Sequence, residues 1–345
     1  MTADAVGGVW QYCFDLVSGL VREGAEVLLA TFGPRPSPEQ KREILALPGV
    51  TLAESDYALE WMPNPWPDVD ASGVWLLALQ SSFNPDVIHL NGYSHASLPW
   101  RKPVVVTAHS CVYSWWRAVH GGPPGEEFAE YKQRVMAGLT ACEAITAPSA
   151  YMAGALQQEY RVPAEKIRVI HNFSRARSSA KPKQPFLMAA GRFWDPAKNL
   201  ELLKRITLKL DWEVRVAESL PHSEVLRQLS GASIFVHPAL YEPFGLSVLE
   251  AARARCCLVL SDIPSLRELW EDAAVFIDPR DPEKWIFKLN RLAQDSAARE
   301  SMSRLAHRRA SKYRVSIAVK AYSSLYRSLL SRAPGCSLGQ AGVAA

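Results

Sequence analysis

His237-Pro-Ala-Leu-Tyr-Glu-Pro-Phe-Gly-Leu-Ser-Val-Leu-Glu-Ala251 is the stretch around which the rest of the chain is organised. The apolar run Ser233-Ile-Phe-Val-His237 reads as a buried strand, 238–245 as a loop, and 246–254, built of good helix formers, as a helix. A glycine at the loop–helix junction lets a ligand approach the backbone. The amides of Phe244, Gly245 and Leu246 are expected to face outward there, at the positive end of the helix dipole. Such an end attracts phosphate. Glu242 precedes the helix and Glu250 lies inside it, so two acceptors for sugar or ribose hydroxyls would flank one anion-binding group of amides. The chemistry suggested is nucleotide-sugar binding.

Working outward, 345 residues with 48% apolar content support two α/β domains, each with its own core. No apolar run is long enough to span a membrane, and polar residues follow Met1 directly where a signal peptide would be apolar, so a cytoplasmic, soluble protein is expected. The cysteines at 13, 111, 142, 256, 257 and 336 form no CxxC pair and read as reduced core thiols. Charge divides the chain: residues 1–172 hold 12 Lys and Arg against 18 Asp and Glu, residues 173–345 hold 27 against 17. A basic second half suits an anionic ligand such as a nucleotide diphosphate, and equally a solvated surface of Arg-rich helices. Nucleic acid explains it less well, because no aromatic–basic interleaving accompanies the charge.

Along the chain, Asp4-Ala-Val-Gly7-Gly8-Val-Trp10 reads as a turn into a helix ending near Gly24, followed by a strand at 26–32. Little precedes that turn, so the first strand is expected to be cut short, with the start of the chain internal to its gene or N-terminally shortened. Residues 45–70 read mainly as loop with a short strand at Val50–Ala53, and Asp70 of the Asp68-Val-Asp70 triplet reads as the N-cap of a helix at 71–83 rather than as a metal ligand. Asp86–Leu90 and Val104–His109 are strands of parallel-sheet type. Ligands gather at the carboxyl ends of such strands. His89 reads as structural there, while His109 is as well placed for a ligand as for a structural role. Trp61, Trp66, Trp100, Trp115 and Trp116 read as core aromatics before acceptor-stacking ones. A linker is plausible at 173–185. The second unit opens with Phe186–Gly191, a strand that delivers Arg192 and Lys198 to a carboxyl end where cations can grip a diphosphate. Strands at 213–217, 232–237, 257–261 and 274–277 alternate with helices, and helices at 281–294, 296–312 and 315–331 finish the fold.

These residues carry a family likeness. Gly7-Gly8-Val-Trp, Val106-Thr-Ala-His109, Ala147-Pro-Ser149, Ala190-Gly-Arg192 with Lys198-Asn199, and above all Glu242-Pro-Phe-Gly…Glu250-Ala resemble the retaining glycosyltransferases of family 4. The resemblance implies the GT-B fold: α/β, with two facing Rossmann-like doubly wound domains, here with a truncated first strand. The domains would be an acceptor-side domain at 1–172, a nucleotide-sugar-binding domain at 173–314, a return helix at 315–332 packing back across the domains, and a flexible tail at 333–345. By the same resemblance Arg192 and Lys198 would neutralise the donor diphosphate, Glu250 would bind ribose hydroxyls, and Glu242 and His109 would face the donor sugar. Gly7 and Gly8 would lie beneath the phosphates, and the amides of Phe244, Gly245 and Leu246 would complete the anion cradle. No metal or other cofactor is implied. The partners would be a nucleotide sugar and a saccharide or lipid-linked acceptor, with peripheral membrane contact as an option and no nucleic acid.

Three departures from the family bear on activity, the truncated first strand being one. The chain passes from the strand at 213–217 almost directly into the next helix, with Glu218 where the family has glycine, and omits a strand that normally helps hold the nucleotide base. Arg255-Cys256 also replaces the usual helix-terminal glycine, where a left-handed residue costs about 1 kcal/mol. The leading reading is a glycosyltransferase acting with retention on a hydroxyl acceptor. The alternative is a non-catalytic sugar-nucleotide-binding or scaffold protein, with a GT-B phosphorylase or sugar-nucleotide epimerase third.

Overall fold

Short β-branched runs separated by amphipathic helices bury their apolar faces most simply as a parallel sheet covered by helices on both sides. The computed structural model, which describes residues 1–5, 7–176, 181–218 and 220–331, has that architecture twice.

The first unit runs β1 (Thr2–Asp4), α1 (Gly8–Arg22), β2 (Val27–Phe32), α2 (Pro38–Leu45), β3 (Val50–Glu54), α3 (Trp66–Phe83), β4 (Ile88–Leu90) and β5 (Val104–Thr107). It continues with α4 (Val112–His120), α5 (Ala129–Ala141), β6 (Ala144–Ala147), α6 (Ala150–Tyr160) and β7 (Ile167–Val169). Strands pair in the orders β1-β2-β3 and β4-β5-β6-β7, all parallel. Asn91, just past β4, joins the two groups: its backbone amide donates to Thr2 Oγ1 at 2.8 Å and its side-chain amide to the Thr2 carbonyl at 2.7 Å. The expected short first strand therefore exists as three buried residues in register with Ala30–Phe32.

The second unit runs β8 (Gln184–Ala190), α7 (Leu200–Thr207), β9 (Glu213–Ala217), α8 (His222–Gly231), β10 (Ala232–His237), α9 (Leu246–Arg253) and β11 (Cys257–Ser261). It ends with α10 (Pro264–Trp270), β12 (Val275–Ile277), α11 (Pro282–Gln294), α12 (Ser296–Ala310) and α13 (Val315–Leu330). Its sheet has the order β12-β11-β10-β8-β9. With the strand after β9 omitted, β9 is left as an edge, and Val216 on it is 42% exposed. The last helix crosses back to the first unit. Tyr322 and Leu325 of α13 enter the core formed by Tyr12, Leu16 and Val17 of α1, and the two helices approach so closely that a Cβ on Gly19 would lie 2.3 Å from Val319 Cγ2. The proposed tail at 333–345, with Cys336, lies outside the described residues. The remaining cysteines are free and buried. No helix among the described residues is long and apolar enough to cross a membrane.

Several local expectations are corrected. The third helix starts at Trp66, not at Ala71, because Pro67 in its first turn presets helical φ where the Pro- and Trp-rich composition reads as loop. Asp70 is consequently inside the helix and is no N-cap. Its carboxylate pairs with Arg134, while Asp68 accepts from the Ala58 amide at 2.8 Å. The short helices α2, α4 and α10 are additions to the sequence reading. For α2 the signal was present, since Ser37 and Gln40 form a reciprocal capping box.

Candidate active site at the interdomain cleft

Parallel strands deliver every expected site residue to one side of the two sheets. The β1–α1 turn places Gly7 at φ 79°, ψ −146°, a region closed to residues with a Cβ, and a Cβ there would also lie 3.4 Å from Arg192 Cδ across the cleft. A Cβ on Gly8 would meet Leu246 Cδ1 at 3.5 Å. The Gly7–Gly8 turn of the first unit thus faces the Arg192 turn and the N-terminus of α9 in the second. Arg192 itself lies over the Trp194 ring, 5.4 Å from its centroid.

The motif loop is tightly wired. Glu242 Oε2 receives Lys198 Nζ at 2.7 Å and His237 Nε2 at 3.2 Å, and Glu242 Oε1 receives the Phe244 amide at 3.4 Å. Burial would raise this carboxyl, but the Lys198 charge and the two side-chain hydrogen bonds outweigh it and hold the group far below the usual carboxylate range. His237, with 4% exposure, is depressed by burial against the pull of Glu242, so it is a neutral donor to that carboxylate. The expectation of three free amides is corrected here: Phe244 spends its amide on Glu242. Gly245 and Leu246, at the cap and first position of α9, have no intrahelical acceptor by helix geometry. Gly245 sits at φ 85° with a Cβ position only 2.9 Å from Val248 Cγ2, so no other residue fits.

Glu250 lies one turn into α9 and is 4% exposed, with Oε1 2.8 Å from His222 Nε2. Burial alone would depress the His222 imidazole. The hydrogen bond and charge of Glu250, aided by Asp15 and Glu43, override it and hold its pKa above the ordinary value. His222 opens α8, at the place where the shortened connection after β9 brings the chain back. It is a site neighbour that motif reading passed over, because 28 residues separate it from its partner.

On the other wall, His109 Nε2 lies 2.8 Å from Asn91 Oδ1, and the ring packs edge-on against Tyr12 with centroids 4.6 Å apart. Burial pushes the His109 pKa down to about 3. His89 is structural as expected. It is 3% exposed and its two nitrogens meet Tyr326 Oη and Thr107 Oγ1, both at 2.6 Å.

The walls are joined by residues to which the sequence reading gave no bridging role. Tyr241, inside the motif, puts its hydroxyl 2.7 Å from Ser114 Oγ of α4, and Trp115 Nε1 donates to Asp195 Oδ1 at 3.0 Å. Ser149 Oγ donates to the Pro243 carbonyl at 2.8 Å, and the Glu268 carboxylate accepts the Ala150 and Tyr151 amides at the start of α6. Where the chain passes between the units, Arg175 pairs with the fully buried Asp15 of α1 at 3.2 Å. Among the described residues no group of His, Cys, Asp and Glu is arranged to hold a metal ion.

Comparison with known proteins agrees with this architecture. Residues 6–174 match the family described as Glycosyltransferase Family 4, and residues 168–309 match Glycosyl transferases group 1. The chain is 30% identical over 118 residues to O-antigen chain mannosyltransferase B of Escherichia coli, covering 34% of this chain and 30% of that protein. It is 22% identical over 183 residues to O-antigen chain mannosyltransferase RfbU of Salmonella typhimurium, covering 44% and 52%. The chain thus spans about a third and about half of these curated relatives. Among solved structures, sucrose-phosphate synthase from Thermosynechococcus elongatus superposes with a TM-score of 0.79 at 16% identity, covering 94% of both chains. Anabaena HepE in complex with UDP-glucose superposes with a TM-score of 0.71 at 16% identity, covering 95% of this chain and 100% of that one. At such identity the structural likeness speaks for the fold alone, and the sequence matches supply the family: the chain belongs to the GT4-type glycosyltransferases of the GT-B fold.

Proposed function

We propose that this protein transfers a glycosyl group from a nucleotide-diphosphate sugar to a hydroxyl acceptor, a saccharide or a lipid-linked one, with retention at the anomeric carbon. The observation that carries the reading is the convergence of Arg192 against Gly7 and of Lys198 beside Glu242 on the open amides at the start of α9. Two cations and a helix N-terminus make a seat for a diphosphate. A solved structure of similar fold holds UDP-glucose, which supports a nucleotide sugar as the donor. In this reading Arg192 and Lys198 carry the charge that develops on the departing diphosphate, with no metal called on. Glu250 receives ribose hydroxyls, and Glu242 and His109 meet the sugar. The bond from the anomeric carbon to the diphosphate oxygen breaks while the acceptor oxygen adds to the same face, and a departing phosphate oxygen takes the acceptor proton. Catalysis then rests on positioning and on electrostatic stabilisation of the leaving group.

The test is a thermal-shift screen with UDP-, GDP- and ADP-sugars, followed by assays for donor hydrolysis and transfer after treatment with a chelator. Stabilisation with turnover supports the reading. Stabilisation without either reaction would replace it with the sugar-nucleotide-binding alternative, for which the edge position of β9, with no strand beyond it among the described residues, is the specific argument.

A further inference from the structure

We infer that Asn91 is a positioning residue that holds His109 as its Nε2–H tautomer, leaving Nδ1 as an acceptor for a ligand hydroxyl. The inference rests on the reading of His109 as a residue that meets the donor sugar, and it specifies which hydrogen-bonding role the ring plays there.

The argument begins with the Asn91 side chain, whose two ends differ chemically but have the same shape. Its Nδ2 lies 2.7 Å from the Thr2 carbonyl oxygen, which can only accept, so the amine end of the amide faces β1. The same nitrogen also reaches Cys13 Sγ at 3.3 Å, and the Asn91 backbone amide donates to Thr2 Oγ1 at 2.8 Å, which fixes the residue from a second side. The carbonyl end, Oδ1, must then be the atom that faces His109 Nε2 at 2.8 Å. Oδ1 cannot donate, so Nε2 carries the proton. A neutral imidazole with its proton on Nε2 has a lone pair on Nδ1, and among the described residues no protein group bonds that nitrogen. The ring packs edge-on against Tyr12, itself 1% exposed and bonded through its hydroxyl to Tyr322 at 2.7 Å. A ring so held attracts a hydroxyl donor, as a sugar provides, and has no proton at Nδ1 to offer a phosphate oxygen. The tautomer is set by a residue on β1, a strand of only three residues, through an asparagine that follows β4.

Two-bond ¹H–¹⁵N correlation spectra of the full chain labelled with [¹⁵N]histidine at pH 7 test this without recourse to activity. Assigned through a His109→Gln sample, the His109 ring should show a protonated Nε2 and a bare Nδ1. The Asn91→Ala variant should shift the ring towards a mixture of tautomers while the other histidines stay in place. With an accepted donor, kcat should fall about 10-fold to 100-fold with donor KM little changed, as when the orienting partner of a functional histidine is lost. A wild-type ring protonated at Nδ1, or an Asn91→Ala ring with an unchanged tautomer, overturns the inference, and the wild-type spectrum decides even if the variants fold poorly. Absence of turnover with every donor would instead count against the transfer reading and leave the tautomer result standing.

Discussion

Lys198 Nζ sits 2.7 Å from Glu242 Oε2, so the cation expected to meet the diphosphate is held by the carboxylate expected to meet the sugar. Both side chains are largely buried, at 15% and 12% exposure. The pair therefore serves the fold as well as the chemistry, and the two roles can be separated.

Lys198→Met should lower the rate of transfer about 100-fold to 1000-fold, the scale of losing one group that stabilises a developing anion. It should also destabilise the protein by about 2–3 kcal/mol, less than the full cost of orphaning a buried charge because His237 and the Phe244 amide still serve Glu242. Lys198→Met combined with Glu242→Gln should recover most of that stability and none of the activity. Urea unfolding and initial-rate kinetics on the two variants check both halves.

Arg255 occupies the left-handed position that ends α9, with φ 62°, and the Cys256 amide closes the turn on the Ala251 carbonyl at 2.9 Å. The side chain is exposed, so replacing it with glycine gives up little packing and relieves the backbone strain. Arg255→Gly should raise stability by about 0.5–1 kcal/mol, the left-handed penalty less the added freedom of the unfolded chain. An unchanged or lower urea midpoint would contradict this.

Gly19 lets α13 rest on α1. Gly19→Ala should cost about 1–3 kcal/mol by overpacking against Val319, and Val319→Ala in the same chain should restore a large part of it. Equal stability of wild type and Gly19→Ala would mean that the helices do not approach as closely as described.

Acid should weaken the fold early. His89 is held well below its ordinary pKa by burial, His109 is pushed down to about 3 and His237 is lowered, so the unfolded chain binds protons at these rings near pH 6.5 while the folded chain does not. Stability is therefore fully present above about pH 6.5 and falls as pH drops, by roughly 1.4 kcal/mol per pH unit for each ring that stays neutral. Glu242, whose folded pKa is depressed, adds to the loss once pH falls below the ordinary carboxylate range. Asp15 works the other way. Burial, partly offset by Arg175, pushes its pKa up to about 6, so the folded chain binds its proton first on the way down. His222, whose pKa Glu250 holds above the ordinary value, also works against the loss, but only down to about pH 6.5, where the unfolded ring takes its proton too. Below that the three depressed rings outweigh Asp15, and unfolding free energies measured between about pH 6.5 and about pH 4.5 should decline steadily. A flat profile would sink the assignment of three neutral buried imidazoles.

The cleft was largely legible from residue types at strand ends. His109, Arg192, Lys198 and the Glu242 loop each follow an apolar strand in sequence, Gly7 and Gly8 follow the three-residue β1, and a parallel sheet sends all such positions to one side. The residues that escaped notice hold their place through partners far along the chain. Asn91 is bonded to Thr2 across 89 residues, Arg175 to Asp15 across 160, and Tyr241 to Ser114 across 127. No local spacing records such pairings. The Asp70 cap failed for a related reason, since whether a Pro- and Trp-rich stretch is loop or helix depended on whether Trp66 had a core to enter.

By itself the sequence determined the alternation of strands and helices, the division into two units, the omission of a strand after β9 and the identity of the groups proposed to meet a diphosphate, because propensity, apolar period and motif are properties of neighbours in the chain. Only the tertiary structure decided that Lys198 is paired with Glu242, that the Phe244 amide is already spent, and which nitrogen of His109 carries the proton. Those are questions of which donor meets which acceptor once water has been excluded, and they are answered by the packing of segments that only the folded chain brings together.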